Sequence, residues 1–380
     1  MDGEGDQDVD NRDLAQTGGI SRRSLLLGAP TTAAVVAVQF PEAEAQMPDN
    51  PLASWNDGPA KAAILNFVRA TTDPSSKDFV AAEDRIATFD QDGTLWVEHP
   101  LYTQAMFALD RVHALAPQHP DWQSREPFKA VLSNDQAALG LFSEGDWAQI
   151  IFETHTGMSQ AAFREIAGQW LATAKHPRFQ RLYTELVYQP MIELLHYLRS
   201  NQFKTYIVSG LGQFFMRIYT QRVYGIPSEQ VLGSSVVTKY QIENGTPELI
   251  REPKLFLYSN FGGKPVAIDV FIGKRPYAAF GNSTGDREML EWIGAGDGAR
   301  LKMLVHHDDP IREYAYGPVG GLPDTTVGTF DQSLMDEAKS NGWAVISMKN
   351  DWNRIFAFEY KPTIPHAEAI SQFLTQGTFN

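Results

Sequence analysis

Apolar and polar positions follow two rhythms along this chain, and the change from one to the other marks its architecture. Ala62, Ile64, Leu65, Phe67 and Val68 lie on one face of a helix expected over residues 60–70, started by Asp57-Gly58-Pro59. A short apolar run, Ile86 to Phe89, then stops at Asp90-Gln91-Asp92-Gly93-Thr94, which reads as a buried strand opening into a turn. Across residues 98–200 no strand pattern appears, and helical spacing predicts helices over 101–114, 127–141, 159–174 and 190–198. Trp147, Phe152, Phe163 and Trp170 recur at that spacing and are expected in a core rather than stacked on a substrate.

Strand and helix patterns alternate again after residue 200. Strands are expected over 204–208, ending in Ser209-Gly210, and over 231–242, one or two in number, with Glu243-Asn244-Gly245 as a turn leading to 248–251. Further strands are expected over 277–280, 301–305 and 343–347, with helices over 214–223, 265–271, 286–292 and 333–340. This order predicts an α/β fold: a Rossmann-like, mainly parallel open sheet with crossover helices, interrupted by an inserted α-helical cap domain. The expected divisions are a leader at 1–45, a sheet core at 46–97 and 201–360, a helical insertion at 98–200 and a tail at 361–380. Ligands of such sheets lie beyond the carboxyl ends of the strands. Asp90 and Asp92, Ser209, and Asn282 with Asp286 all follow strand ends, which argues for one shared site.

Composition narrows the class. With 380 residues, 43% hydrophobic and 21% charged, the chain can bury a large core. Its net charge of −14 disfavours nucleic acid or an anionic membrane surface as the main partner. Without cysteine it has neither a thiolate nucleophile nor a disulfide. Near the start, Ser21-Arg22-Arg23-Ser24-Leu25-Leu26, a mostly apolar run to Phe40 and Ala43-Glu44-Ala45 form a twin-arginine signal pattern with a cleavage site. The run is too short to span a bilayer. The expected location is therefore periplasmic or secreted, with the twin-arginine export machinery as a partner and no stable membrane insertion. The chain from Gln46 keeps a charge of −9.

Asp90, Asn282 and Asp286 offer oxygen ligands suited to a hard cation such as Mg2+. The Ser209 hydroxyl and the Gly210 amide suit a phosphoryl oxygen, and Lys264, after Gly262-Gly263 and at the start of a helix, can supply positive charge. The two aspartates need opposite protonation states. As an anion, Asp90 can attack phosphorus without a base, whereas Asp92 must hold a proton for the leaving oxygen and later activate water. Lys264, Asp286 and a metal are expected to bias Asp90 toward its anion.

At these residues the sequence resembles the haloacid dehalogenase superfamily, in particular its phosphoserine-phosphatase-like hydrolases with a helical cap. The carrying motifs are Asp90-Gln91-Asp92-Gly93-Thr94, Ser209-Gly210 and Gly281-Asn282-Ser283-Thr284-Gly285-Asp286, the last with Asn where the family has its first Asp. The resemblance spans roughly residues 82–306. It implies Asp90 as nucleophile and metal ligand, Asp92 as acid/base with its carbonyl on Mg2+, and Asn282 and Asp286 at the metal. It also implies Ser209 and Lys264 as catalytic groups and Thr94 and Gly210 as substrate contacts; Lys264 is preferred to Lys254 because it starts a helix just before the last motif. Asp92 argues against dehalogenation.

The expected activity is Mg2+-dependent hydrolysis of a small phosphorylated metabolite. An idle phosphate-ligand binding protein and a phosphotransferase are the alternatives. Trp96, Glu98 and His99 are left open between lining the substrate entrance and packing. His306, His307, Asp308 and Asp309 look like a metal cluster, but adjacent residues rarely aim at one ion, so a solvated loop is expected there.

Overall fold

The computed structural model describes residues 50–318 and 325–359. The leader at 1–45 and the tail at 361–380 lie outside the described residues.

Seven strands form one sheet in the order β4-β3-β2-β1-β5-β6-β7. They are β1 (Ile86–Phe89), β2 (Lys204–Gly212), β3 (Val231–Glu243), β4 (Thr246–Leu257), β5 (Ala278–Gly281), β6 (Leu301–His306) and β7 (Ala344–Ser347). Every neighbouring pair is parallel except the β3–β4 hairpin. The fold is thus mixed α/β with a mostly parallel sheet, as the alternation of patterns requires.

All four residues of β1 are buried, because helices cover both faces of a parallel sheet. Alternate positions feed two cores. Ala87, Phe89, Ile207, Phe280, Met303 and Val305 pack on one side with Ile64, Leu194 and Leu198. Val208, Ala279 and Leu304 pack on the other with Met289, Leu290 and Leu334. Register then decides where the polar ends fall. Phe89 pairs with Ile207 on one side and Phe280 on the other, and the Phe89 and Phe280 rings stack at 4.5 Å. The residues that follow on β1, β2 and β5 therefore emerge together at one edge, where the chain connections diverge to opposite sides of β1.

Between β1 and β2 the described chain is helical and holds no strand. Its own small core gathers Ala108, Val112, Trp122, Phe128, Val131 and Ile150. The single helix expected over 127–141 is instead two short ones, Phe128–Leu132 and Gln136–Leu139. Asn134 takes φ 53 between them, and the Asp135 carboxylate caps the second. Glu144–His155 is an additional helix, started by a reciprocal cap between Ser143 and Asp146. The helix expected over 214–223 is likewise split, into Gln213–Met216 and Thr220–Tyr224. Phe163 is buried, and Trp147 and Trp170 pack partly buried against the cores.

The β3–β4 hairpin turns at Asn244 and Gly245, both at positive φ, which matches the twist of the flanking strands. Its outer edge is held by the insertion: the Arg251 amide donates to Met158 O and Arg251 O accepts from the Gly157 amide, each at 2.9 Å. The Arg251 side chain is buried there. Its Nε donates to His155 O at 2.5 Å, an Nη donates to Gln160 Oε1 at 3.0 Å, and the guanidinium lies 4.1 Å from the Phe163 ring centre.

Replacing Arg251 with Ala keeps the backbone pairing but removes the side-chain bonds and leaves the His155 carbonyl without its guanidinium donor, so a loss of about 2–3 kcal/mol is expected in urea unfolding. Arg251→Lys should recover only part of it, since an ammonium cannot serve both acceptors and the ring. A loss below about 0.5 kcal/mol for the alanine variant would remove this clasp from the account of stability.

Candidate active site

Asp90 is the first residue beyond β1, and its amide donates to Phe280 O on β5 at 2.9 Å. That bond fixes the carboxylate over the sheet edge, beside Lys264. The Lys264 ammonium is 1% exposed and lies 2.8 Å from Asp90 Oδ1 and 2.5 Å from Asp286 Oδ1. Burial alone would lower Lys264, but Asp286 and Asp90 outweigh it and raise it above the usual lysine range. The remaining oxygen of Asp286 accepts the amides of Asn282 and Ser283 at 3.0 and 3.1 Å. Lys254, the other candidate lysine, is exposed on β4.

For Asp90, burial is the main influence, followed by the charge of Asp286; both push it upward, and Lys264 offsets them only partly, leaving it at about 6. The expectation that Asp286 favours the Asp90 anion is therefore corrected, because two carboxylates sharing one ammonium repel each other. Asp92 is pushed to about 7, mainly by burial and then by the charge of Asp90, against the stabilising bond from Trp96. That bond runs from the indole Nε1 to Asp92 Oδ1 at 2.6 Å, and the indole itself stacks on Tyr219 at 4.7 Å.

The loop carrying Asp92 is closed around Gly93. Gly93 takes φ 71, and its amide donates to Trp96 O. A Cβ here would strike Asn282 Nδ2 and Glu98 Oε1, so only glycine fits. Thr94, assigned by resemblance to the substrate, is fully buried, and its hydroxyl donates to Asn282 Oδ1 at 3.2 Å. Asn282 Nδ2 donates in turn to Glu98 Oε1 at 2.7 Å, where the Tyr316 hydroxyl also donates. Glu98 is 2% exposed; burial, followed by the charges of Asp92 and Asp90, holds it well above the usual carboxylate range despite the Tyr316 bond.

Ser209 is buried where β2 loses its regular register, and its Oγ accepts the Leu211 amide at 3.2 Å. Gly210 and Gly285 both lie against the Asn260 side chain, a neighbour that no sequence motif marks. Asp90, Asp92, Lys264, Asn282 and Asp286 thus form one connected group, and Trp96 and Glu98 are part of its support.

The segment from His306 to Asp309 is not a solvated loop. His306, His307 and Asp309 are buried, and the four side chains diverge. His307 faces Glu313 and the Gly93 carbonyl, Asp308 accepts from Ser347 Oγ and the Lys349 amide, and Asp309 accepts from Arg312. Among the described residues, no three His, Asp or Glu side chains converge as a metal cluster. Two open clefts, of about 600 and 530 Å³, flank the insertion and the hairpin, and neither is lined by a residue of the strand-end group.

A model of the haloacid dehalogenase-like hydrolase family matches residues 87–291. No curated protein matches the sequence. Solved structures similar to the chain include a conserved functionally unknown protein from Anaerococcus prevotii, 14% identical with a TM-score of 0.48, matched over 66% of this chain and 86% of that one. A phosphoserine phosphohydrolase-like protein from Francisella tularensis is 16% identical with a TM-score of 0.33, over 58% and 87%. A probable phosphoserine phosphatase from Vibrio cholerae is 12% identical with a TM-score of 0.34, over 63% and 62%.

The raised carboxyl of Asp92 gives a stability test. A carboxyl whose folded value exceeds its unfolded one favours folding below the unfolded value and loses that contribution as pH rises through about 7. In EDTA, Asp92→Asn should therefore stabilise the protein by about 1–3 kcal/mol at pH 8 and by little at pH 4. Equal changes at both pH values would contradict the assignment.

Proposed function

The chain belongs to the haloacid dehalogenase-like hydrolase family, and from that premise we propose that it is an exported, Mg2+-dependent phosphomonoester hydrolase acting through an aspartyl-phosphate on Asp90. The observation that carries this reading is the pairing of two aspartates at one strand end with different surroundings. Asp90 has an ammonium at 2.8 Å, and Asp92 has an indole N–H, partial enclosure and a value near 7.

In this reading the Asp90 carboxylate attacks phosphorus while Lys264 offsets the charge on the phosphoryl group. The Ser209 hydroxyl and the Gly210 amide, at the end of β2, hold a phosphoryl oxygen. Asp92 gives its proton to the departing alkoxide, and as the anion it then takes a proton from the water that opens the acyl phosphate.

The residues present fit a hard divalent cation. Asp90 and Asp286 are buried against a single ammonium, and Asp90 Oδ1 accepts no well-aligned hydrogen bond. The Asp90 carboxylate, the Asp92 carbonyl, Asn282 Oδ1 and Asp286 would hold Mg2+ in an open site that keeps waters. When bound, the ion would polarise the phosphoryl oxygen and neutralise developing charge.

Export rests on the twin-arginine pattern at residues 21–26. No described helix is long and apolar enough to cross a membrane. A small substrate is supported by the burial of Asp90 and Asp92.

A panel of phosphomonoesters assayed for phosphate release, with Mg2+ and with EDTA, tests the proposal. Asp90→Asn should lower turnover more than about 10³-fold without lowering the melting temperature. Full activity in that variant would sink the nucleophile assignment. Ligand-induced stabilisation without phosphate release would point instead to a binding protein. For substrates with poor leaving groups, kcat/KM should fall as pH rises above about 7, as Asp92 loses its proton.

A further inference from the structure

The segment that follows β6 has no part in the chemistry above, yet it touches the catalytic loop twice. His307 is 1% exposed, with Nε2 2.8 Å from Gly93 O and Nδ1 2.9 Å from Glu313 Oε2. A carbonyl oxygen can only accept, so Nε2 carries a proton, and a second proton lies between Nδ1 and the Glu313 carboxyl, so the ring is held at both nitrogens. Glu313 is fully buried and holds the opposite edge of the ring. With both nitrogens occupied, His307 is unavailable as a metal ligand or as a base for substrate.

The second contact comes from Tyr316. Its ring stacks on His307 at 4.5 Å, and its hydroxyl donates to Glu98, the acceptor for Asn282. The segment is braced internally: the Tyr316 amide donates to His307 O, the Glu313 amide to Asp309 O, and Asp308 pairs with Ala315. It is anchored outside by Arg312, whose Nη atoms donate to Trp352 O and Met348 O. The segment is therefore a stiff bracket rather than a loop that follows the active site.

What the bracket grips is the carbonyl of the residue immediately after Asp92. The Gly93 amide is fixed by Trp96 O, and its carbonyl is fixed by His307. Both ends of the residue that aims the Asp92 carboxyl are thereby pinned, and the Trp96 indole meets that carboxyl from the same turn.

We propose that His307, oriented by Glu313, is a positioning residue for the acid/base Asp92, acting through the Gly93 carbonyl. The inference rests on the phosphatase reading for its kinetic consequence, but not for its geometric one. Misplacing a general acid harms only those reactions whose leaving group needs a proton. An alkyl phosphate needs one; p-nitrophenyl phosphate, whose phenolate leaves readily, needs far less help.

The test compares His307→Ala, His307→Gln and Glu313→Gln with the wild type on both substrates, after melting curves confirm folding. His307→Ala should lower kcat at least about tenfold more on the alkyl than on the aryl phosphate, with KM changed less than about threefold. His307→Gln, which keeps an N–H donor, should recover most of that difference, and Glu313→Gln should fall between. Equal losses on both substrates, or a loss confined to KM, would overturn the proposal.

Fluorine NMR of protein labelled with fluorotryptophan gives a readout independent of turnover. The Trp96 signal, assigned with Trp96→Phe, should move in His307→Ala and return in His307→Gln, because the indole reports the Asp92 carboxyl. An unmoved signal also overturns the proposal. A wild type that releases no phosphate would refute the phosphatase reading, while the indole signal would still decide the positioning role.

Discussion

One buried ammonium, Lys264, holds the centre of this protein together. A lysine inside a protein is costly unless it is paired, and this one is paired twice, with Asp90 and Asp286. Those partners come from the ends of two adjacent strands, and the lysine comes from a helix that starts after the hairpin. The pairings hold only if β1 and β5 keep the register of Phe89 against Phe280, so charge balance and sheet geometry constrain each other. Burial, and then the charge of a neighbouring carboxylate that the one ammonium does not fully offset, leaves Asp90 and Asp92 above their ordinary values. Stability is given up at the place where the proposed chemistry would need protons to move.

Close packing enforces the rest. Gly93 leaves no room for a side chain between Asn282 and Glu98, and Gly281 leaves none beside the Asp286 carboxyl. These glycines let strand ends approach one another more closely than side chains would allow. Asn282 fits that packing as an amide: it gives a proton to Glu98 and accepts one from Thr94. An aspartate in its place would lose the N–H that Glu98 accepts and set a second carboxyl against it.

Much of this was legible in the sequence, for identifiable reasons. Strand ends announce themselves when apolar runs of four or five residues stop at Asp, Ser or Asn, and the parallel fold then brings those stops to one edge. The Asn244-Gly245 turn was legible because only a few residues accept positive φ. The pattern said nothing of partners distant in the chain. Nothing local marks Asn260 as a neighbour of Gly210, or Tyr316 as a donor to Glu98, since each contact depends on tertiary placement. His306 to Asp309 misled because polar residues in a row suggest solvent, whereas His307, Asp308 and Asp309 each turn to a different partner within the fold and His306 is buried beside Phe330. The sign of the influence of Asp286 on Asp90 was also out of reach, because it depends on two carboxylates sharing one cation.

The clasp at Arg251 bears on how the protein behaves in a crowd. A long hairpin at the margin of a sheet offers unpaired amides and carbonyls to any passing strand. Here Gly157 and Met158 occupy part of that margin, and Pro247 and Pro253 remove donors from β4 itself. The opposite margin, β7, is only four residues long. Neither border of the sheet is an extended free template, so the molecule is guarded against strand-to-strand aggregation by the same contacts that fasten the helical insertion to it.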